Sequence, residues 1–346
     1  VDINKDISSA GNGNVVLYAK DGGQMKYAGT IETNGDKSHG IVIDTAASSL
    51  SNYSGGAVNV KTSGDESIAL YNKGTMNLLN GGTYTATGDK SNIIYNTGGT
   101  TNIKGANIYE VGTNGVGFYV NGGKLTLDSN GGTSNIKVGS GSVLSSIETA
   151  NGIEFKNGTF NVNLDADAIG FIYKGTGSGT VTASSISTYL NSYYTGLNNL
   201  YFTLNPTARL FVVENYGTIS LQDVQSLAAS GSVVNIASGS AGKDAFLWKG
   251  ALTVDNSYGT INLDNTSNVL NNVERSAVGV TLDSGVTLTG TQANQIALAD
   301  IDMYNGNYVN MNNLGTISLS GAGSTGIYAN NGTIINKGTV TVSGAE

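Results

Sequence analysis

Cysteine is absent from the 346 residues, which excludes disulfides, a thiolate nucleophile and any cysteine-based metal site. Histidine occurs once, in Ser38-His39-Gly40; no second histidine completes a metal site, and the flanking residues predict a surface turn. Charged residues are only 12% of the chain and arginine occurs twice, at Arg209 and Arg275, so the helix formers of an all-α protein are missing. Proline occurs once, at Pro206, and together with 39% hydrophobic residues and 18 Tyr this excludes a disordered linker. No run of about 18 apolar residues could cross a bilayer as a helix. Positive charge is scarce and scattered: 17 Lys and Arg face 25 Asp and Glu, a net charge of −8, and a phosphate backbone would be repelled. Nucleic acid is therefore not an expected partner. The chain begins Val1-Asp2-Ile3 without a signal peptide and stops just after a strand-like repeat, which reads as a fragment. The missing cysteines suit an exported bacterial protein that crosses a periplasm unfolded, where no bridge should close early.

What the chain has instead is 50 Gly, 42 Asn, 36 Thr and 35 Ser, nearly half of its residues. They are organised in words. One reads Asn72-Lys73-Gly74-Thr75-Met76-Asn77-Leu78 and recurs as Asn215-Tyr216-Gly217-Thr218-Ile219-Ser220-Leu221, Ser257-Tyr258-Gly259-Thr260-Ile261-Asn262-Leu263, Asn313-Leu314-Gly315-Thr316-Ile317-Ser318-Leu319 and Asn336-Lys337-Gly338-Thr339-Val340-Thr341-Val342. Each is a turn followed by an alternating strand. A second word, Ile68-Ala69-Leu70-Tyr71, Ile93-Ile94-Tyr95-Asn96 and Gly117-Phe118-Tyr119-Val120, places Tyr71, Tyr95 and Tyr119 at intervals of 24 residues. A unit of that length holds three strands of four or five residues and three turns, and tandem recurrence is the signature of a solenoid. The expected fold is all-β: a right-handed parallel β-helix of about 24 residues per coil and about 14 coils, a single solenoid over 1–346. Asparagines at matching turns should stack and satisfy turn backbone groups. The competing architecture is an antiparallel sandwich, because Asn-Gly, the strongest hairpin signal, occurs ten times, as at Asn80-Gly81 and Asn157-Gly158.

The register breaks over 184–209. Ile186, Tyr189, Leu190, Tyr193, Tyr194 and Leu197 fall on a helical stripe, with Ser184 or Ser185 placed to cap its start and Gly196 to end it. Smaller lapses occur over 224–229, 268–278 and 292–302. The aromatic insertion is the one candidate binding surface, on Tyr189, Tyr193, Tyr194, Tyr201 and Phe202, since such side chains supply rigid contact area for a protein or a glycan. Trp248 is an outlying candidate. The bland reading is that the stripe only buttresses the rod.

Catalytic candidates are few. Glycoside hydrolysis needs two carboxylates about 5 to 10 Å apart, and the local pairs are Asp165 with Asp167 and Asp300 with Asp302, which on a strand would share one face. Two carboxylates could also help hold Ca²⁺, yet both pairs read more simply as solvated strand or turn residues. Gly139-Ser140-Gly141-Ser142 is a Gly/Ser turn and no nucleophile elbow. No phosphate loop follows Gly55-Gly56 or Gly98-Gly99, and Asn34-Gly35-Asp36 is a plain turn. No metal, cofactor or catalytic residue is expected.

The Gly-Thr-Ile-x-Leu words and Ser324-Thr325-Gly326-Ile327-Tyr328-Ala329-Asn330-Asn331-Gly332-Thr333-Ile334 resemble the repeats in passenger domains of bacterial type V autotransporters, fusobacterial adhesins above all. The resemblance covers most of the chain outside 184–209. It implies a right-handed β-helix displayed extracellularly at the bacterial outer membrane, or secreted, by a C-terminal β-barrel that this chain lacks. It further implies a monomeric stalk and binding surface for host cells or other bacteria, through a surface protein or glycan, without catalysis. The alternatives are a polysaccharide-cleaving β-helix enzyme and the non-catalytic spine of a secreted toxin or protease. Stacked repeats diverge, so no functional residue carries over by position.

Overall fold

In a computed structural model, the residues described are 1–174, 180–205, 208–214, 218–220, 234–236, 246–248, 251–254, 259–264, 279–300, 310–329 and 332–345. Among them every paired strand runs parallel to its neighbour one coil away, as in Ile68–Asn92–Val116 and Thr100–Lys124. The fold is an all-β parallel solenoid of about 10 turns averaging 26 residues, with one short helix. The turns are fewer and longer than 24 residues predict because corners expand. Ile68 and Asn92 pair across 24 positions, but His39 and Ile68 pair across 29 and Ile153 and Tyr194 across 41. The antiparallel sandwich is excluded. Its hairpin signal has another use: Asn114, Asn130, Asn151 and Asn157, each followed by Gly, take φ near +52° at corners, a left-handed conformation that asparagine tolerates.

Two compact units divide the chain. The first comprises 1–171, 188–208 and 233–240. It is built on three parallel ladders. The first sheet runs from Asp2–Asn4 through Ser49–Asn52, Thr75–Leu78, Thr100–Lys104 and Lys124–Asp128 to Ile153–Lys156 and Tyr194–Thr195; the second includes Val58–Thr62, Gly82–Ala86, Asn107–Val111, Thr133–Val138, Thr159–Leu164 and Leu200–Leu204. The long strand Gln24–Thr33 serves both. The third stacks Val15–Ala19, His39–Ile43, Ile68–Asn72, Asn92–Asn96, Val116–Val120 and Val143–Ile147. The core consists of inward columns one residue wide. Ile31, Val60, Tyr84, Tyr109, Ile136, Val162 and Phe202 follow one another in register, all essentially fully buried. The second unit repeats the pattern, with Gly279–Leu282, Asn310–Asn313 and Thr333–Asn336 in one ladder and Thr287–Gly290, Thr316–Leu319 and Thr339–Val342 in another.

The recurring words have structural meanings. In Asn72-Lys73-Gly74-Thr75 the buried Asn72 Oδ1 accepts the Gly74 N–H at 2.9 Å, and its amide donates to Asn96 Oδ1 at 3.2 Å and to Thr101 Oγ1 at 2.8 Å. Asn313 repeats this with the Gly315 N–H at 3.1 Å and Asn336 Oδ1 at 2.8 Å. Stacked asparagines thus supply the turn partners as expected. A third word was not singled out from the sequence: Gly35-Asp36-Lys37-Ser38, Gly64-Asp65-Glu66-Ser67 and Gly88-Asp89-Lys90-Ser91. Here the Ser38 N–H donates to Ser67 Oγ at 3.1 Å and the Ser67 N–H to Ser91 Oγ at 3.0 Å. The glycines lie against the coil before: a Cβ on Gly64 would sit 2.1 Å from the Gly35 carbonyl oxygen, and one on Gly88 2.0 Å from that of Gly64.

Candidate functional site

The helix spans Ala183–Tyr193. Its cap is Thr182 rather than Ser184 or Ser185: Thr182 Oγ1 accepts the Ser185 N–H at 3.1 Å while Ser185 Oγ accepts the Thr182 N–H at 2.9 Å, a reciprocal capping pair. Gly196 does take a left-handed conformation, φ 75°, but ahead of the single 3₁₀ turn Leu197–Asn199. Ile186 and Leu190 are buried, as the stripe predicts. Tyr189 and Tyr193 stay half-exposed with ring centroids 4.8 Å apart.

The remaining members of the expected aromatic patch do not join them. Tyr194 is buried because it continues the inward column Leu125–Ile153 of the first sheet, and its hydroxyl shares a 2.8 Å hydrogen bond with Ser145. Phe202 is buried because it continues the inward column described above. Neither can touch a partner. Tyr201, next to Phe202 and so on the opposite face of the pleat, is 42% exposed. The interruption is also shorter than 184–209, since the ladders resume at Tyr194–Thr195 and Leu200–Leu204. Pro206, all of 224–229 and 268–278, and the last two positions of 292–302, including Asp302, lie outside the described residues.

His39 is not in a turn but opens the strand His39–Ile43, half-buried, and burial lowers its pKa below the usual histidine value. Asp165 and Asp167 occupy a corner turn, not a strand, with Asp167 at φ 60°. Asp165 Oδ1 accepts the amides of Asn163 at 3.3 Å and Asn205 at 3.2 Å, so it holds a corner together. Asp300 ends the strand Ile296–Asp300. Among the described residues no group of three or more His, Cys, Asp or Glu could hold a metal ion.

A surface that the sequence reading did not assign stands on the third sheet. Two columns face outward: Val15, His39, Ile68, Asn92, Val116 and Val143 in one, and Tyr18, Tyr71, Tyr95, Tyr119 and Ser146 in the other, where Val42, between Tyr18 and Tyr71, is itself buried. The three central tyrosines stack, Tyr71 on Tyr95 at 5.6 Å and Tyr95 on Tyr119 at 4.4 Å, tilted by 13° and 24°. Their 24-residue spacing was the available signal, but only strand boundaries tell outward from inward. Polar groups hold the edge. Asp44 accepts the Tyr18 hydroxyl at 2.5 Å and the Lys73 ammonium at 3.0 Å, which together hold its carboxyl below the usual range. Lys73 Nζ also lies 5.4 Å from the Tyr71 ring centroid, and Glu148 accepts the Tyr119 hydroxyl at 3.2 Å.

Comparison with protein families, curated proteins and solved structures finds no match for this chain. The site is therefore read from its own chemistry. The outward positions of the first sheet are Gln24, Lys26, Ser49, Thr75, Asn102, Lys124 and their like, and those of the second are polar apart from Ile108 and Tyr201. One of three faces is aromatic and aliphatic, and that asymmetry is what a binding surface requires.

Proposed function

We propose that this chain is passenger material of a bacterial surface adhesin of the type V autotransporter kind, similar to fusobacterial adhesins. It is held extracellularly at the outer membrane or released, and works as a stalk and binding surface without catalysis. The observation that carries the reading is the parallel solenoid of Gly-, Asn- and Thr-rich coils, whose backbone ladders give stability without disulfides and leave the outward residues free to vary. The half-exposed Tyr189, Tyr193 and Tyr201 and the third-sheet face are its candidate contact residues. The partner is a host-cell or bacterial surface component, engaged by a monomer.

The test is binding of purified, labelled chain to epithelial cells and to other bacterial species. Saturable binding that unlabelled chain competes away is expected. Absence of saturable binding to every surface tried would overturn the adhesion reading. Release of reducing ends from polysaccharides that disappears in Asp165→Asn would instead install the enzyme reading.

A further inference from the structure

From the outward face of the third sheet we infer a docking surface for a protein partner that presents aliphatic side chains ringed by Lys and Arg. Three observations select that occupant.

The first is ring orientation. A sugar ring stacks on an exposed aromatic face, but Tyr71, Tyr95 and Tyr119 turn their faces to one another along the axis. What reaches solvent is ring edges, hydroxyls and the aliphatic side chains of the neighbouring column, Ile68, Val116 and Val143, which suit apolar protein side chains better than a glycan.

The second is charge. On the turns bounding this sheet, each lysine has a carboxylate within 4 Å: Lys20 with Asp21, Lys37 with Glu66, Lys73 with Asp44 and Lys90 with Asp89. Asp36, Asp65 and Glu148 on the same turns have no cationic partner among the described residues, and burial holds His39 toward its neutral form. The rim is thus acidic. A second copy of the chain, with the same rim and a net charge of −8, would be repelled, whereas a basic rim on a partner would complement it.

The third is size. Within the first unit seven rungs, from Val15 to Ile169, at about 4.8 Å and a width of three residues make a strip of roughly 30 by 10 Å, a few hundred Å² at most. A stable complex covers about 800 Å² per partner. One copy therefore binds weakly, and useful avidity comes from many copies displayed together. This gives the adhesion reading a partner chemistry and rests on it only for the cell that carries the partner.

The experiment uses the whole chain and two fluorescent helical peptides, one with a leucine face bordered by lysines and one with the same face bordered by glutamates, read by anisotropy. The Leu/Lys peptide should bind, with affinity falling at least tenfold in 0.5 M NaCl on the order expected for a screened rim, and the Leu/Glu peptide should not. Tyr95→Ser with Tyr119→Ser should lower Leu/Lys binding tenfold or more. Asp36→Asn, Asp65→Asn and Glu148→Gln together should do the same while keeping each hydrogen-bond acceptor. Ile108→Ser, on another sheet, should change nothing. Equal binding of the two peptides, unchanged binding by both variant sets in folded protein, retention on a glycan array instead, or a concentration-dependent dimer in sedimentation would each overturn the proposal. Cell binding separates the two ideas: if the tyrosine variant binds cells as the parent does, this face is wrong and adhesion stands. If the parent binds the peptide but no cell, adhesion is wrong and the face stands.

Discussion

At the residue scale, two tyrosine stacks, one on the outer face of the third sheet and one on the inner face of the second, are held by different terms. Tyr71, Tyr95 and Tyr119 face outward with their hydroxyls partnered or wet, whereas Tyr84 and Tyr109, stacked at 5.6 Å, are fully buried and neither hydroxyl has a hydrogen-bond partner. A buried, unmade hydrogen bond costs about 1–3 kcal/mol. Tyr84→Phe and Tyr109→Phe should therefore leave stability unchanged or raise it by about 1 kcal/mol in urea titrations. Tyr27 is the control: its hydroxyl donates to the Lys5 carbonyl at 2.9 Å, and Tyr27→Phe should cost about 1 kcal/mol. A loss at Tyr84 larger than that at Tyr27 would show that the buried phenol is satisfied after all. Glycine positions separate in the same way. Gly64→Ala drives a Cβ into a backbone carbonyl at 2.1 Å and should cost several kcal/mol, while Gly55→Ala, at φ +73° with open space around it, should cost only about 1 kcal/mol in the same titration.

At the element scale, the stable unit is the corner rather than the strand. In the Asn72–Asn96 pair Asn72 Oδ1 accepts the Gly74 N–H, the two N–H groups of Asn72 are shared among Asn96 Oδ1, the Thr101 hydroxyl and the carbonyls of Gly74 and Thr100, and the Asn96 amide donates to the carbonyls of Gly99 and Gly122 while its Oδ1 accepts the Thr101 hydroxyl. Asn72→Ala strands several of these groups and should cost about 2–3 kcal/mol. In a double-mutant cycle with Asn96→Ala the coupling should exceed about 0.5 kcal/mol, because the two amides share one network. Strict additivity would mean that each corner is self-contained. This scale also shows what the sequence carries. The Asn-x-Gly-Thr word was legible because its partner lies two residues away as well as one coil away. The Gly-Asp-Lys/Glu-Ser corner recurs as plainly, but Asp, Lys and Glu look like solvated turn residues until the buried serine column below them is seen. Tyr194 and Phe202 misled for a related reason: aromatics beside a break in periodicity read as an insertion, yet in register they are rungs of the core. Coil length was legible only where corners are minimal, as at Ile68–Asn92–Val116, and not where the helix Ala183–Tyr193 lengthens a turn.

At the scale of the whole molecule, a narrow core with large phenols makes stability a matter of alkaline pH. Burial raises the pKa of Tyr27 to about 12, and burial pushes Tyr84, Tyr109 and Tyr194 well above their ordinary value of 10.0. Each folded-state value exceeds the unfolded one, so the native state keeps protons that the unfolded chain releases. The free energy of unfolding is then insensitive to these groups below pH 10 and falls as pH rises through the folded values. The acid side differs in sign. Asp264, which accepts the Thr291 hydroxyl at 2.5 Å, the Thr291 N–H at 2.8 Å and the Gln295 amide at 2.8 Å, is held down to about 2, so its contribution is present above pH 4 and is lost as pH falls toward 2. Because hydroxide must open the core to reach a buried phenol, phenolate absorbance should rise in two steps on raising the pH: a gradual one from phenols at the surface, and a steep one, from the buried Tyr27, Tyr84, Tyr109 and Tyr194, that coincides with loss of the β-sheet circular dichroism. Adding 6 M urea should merge the two into one titration near pH 10, the value of an unfolded tyrosine at about 25 °C. A single gradual titration of all 18 Tyr in the native protein, with circular dichroism unchanged, would mean that the inward columns are open to water and that the narrow core does not exist as described.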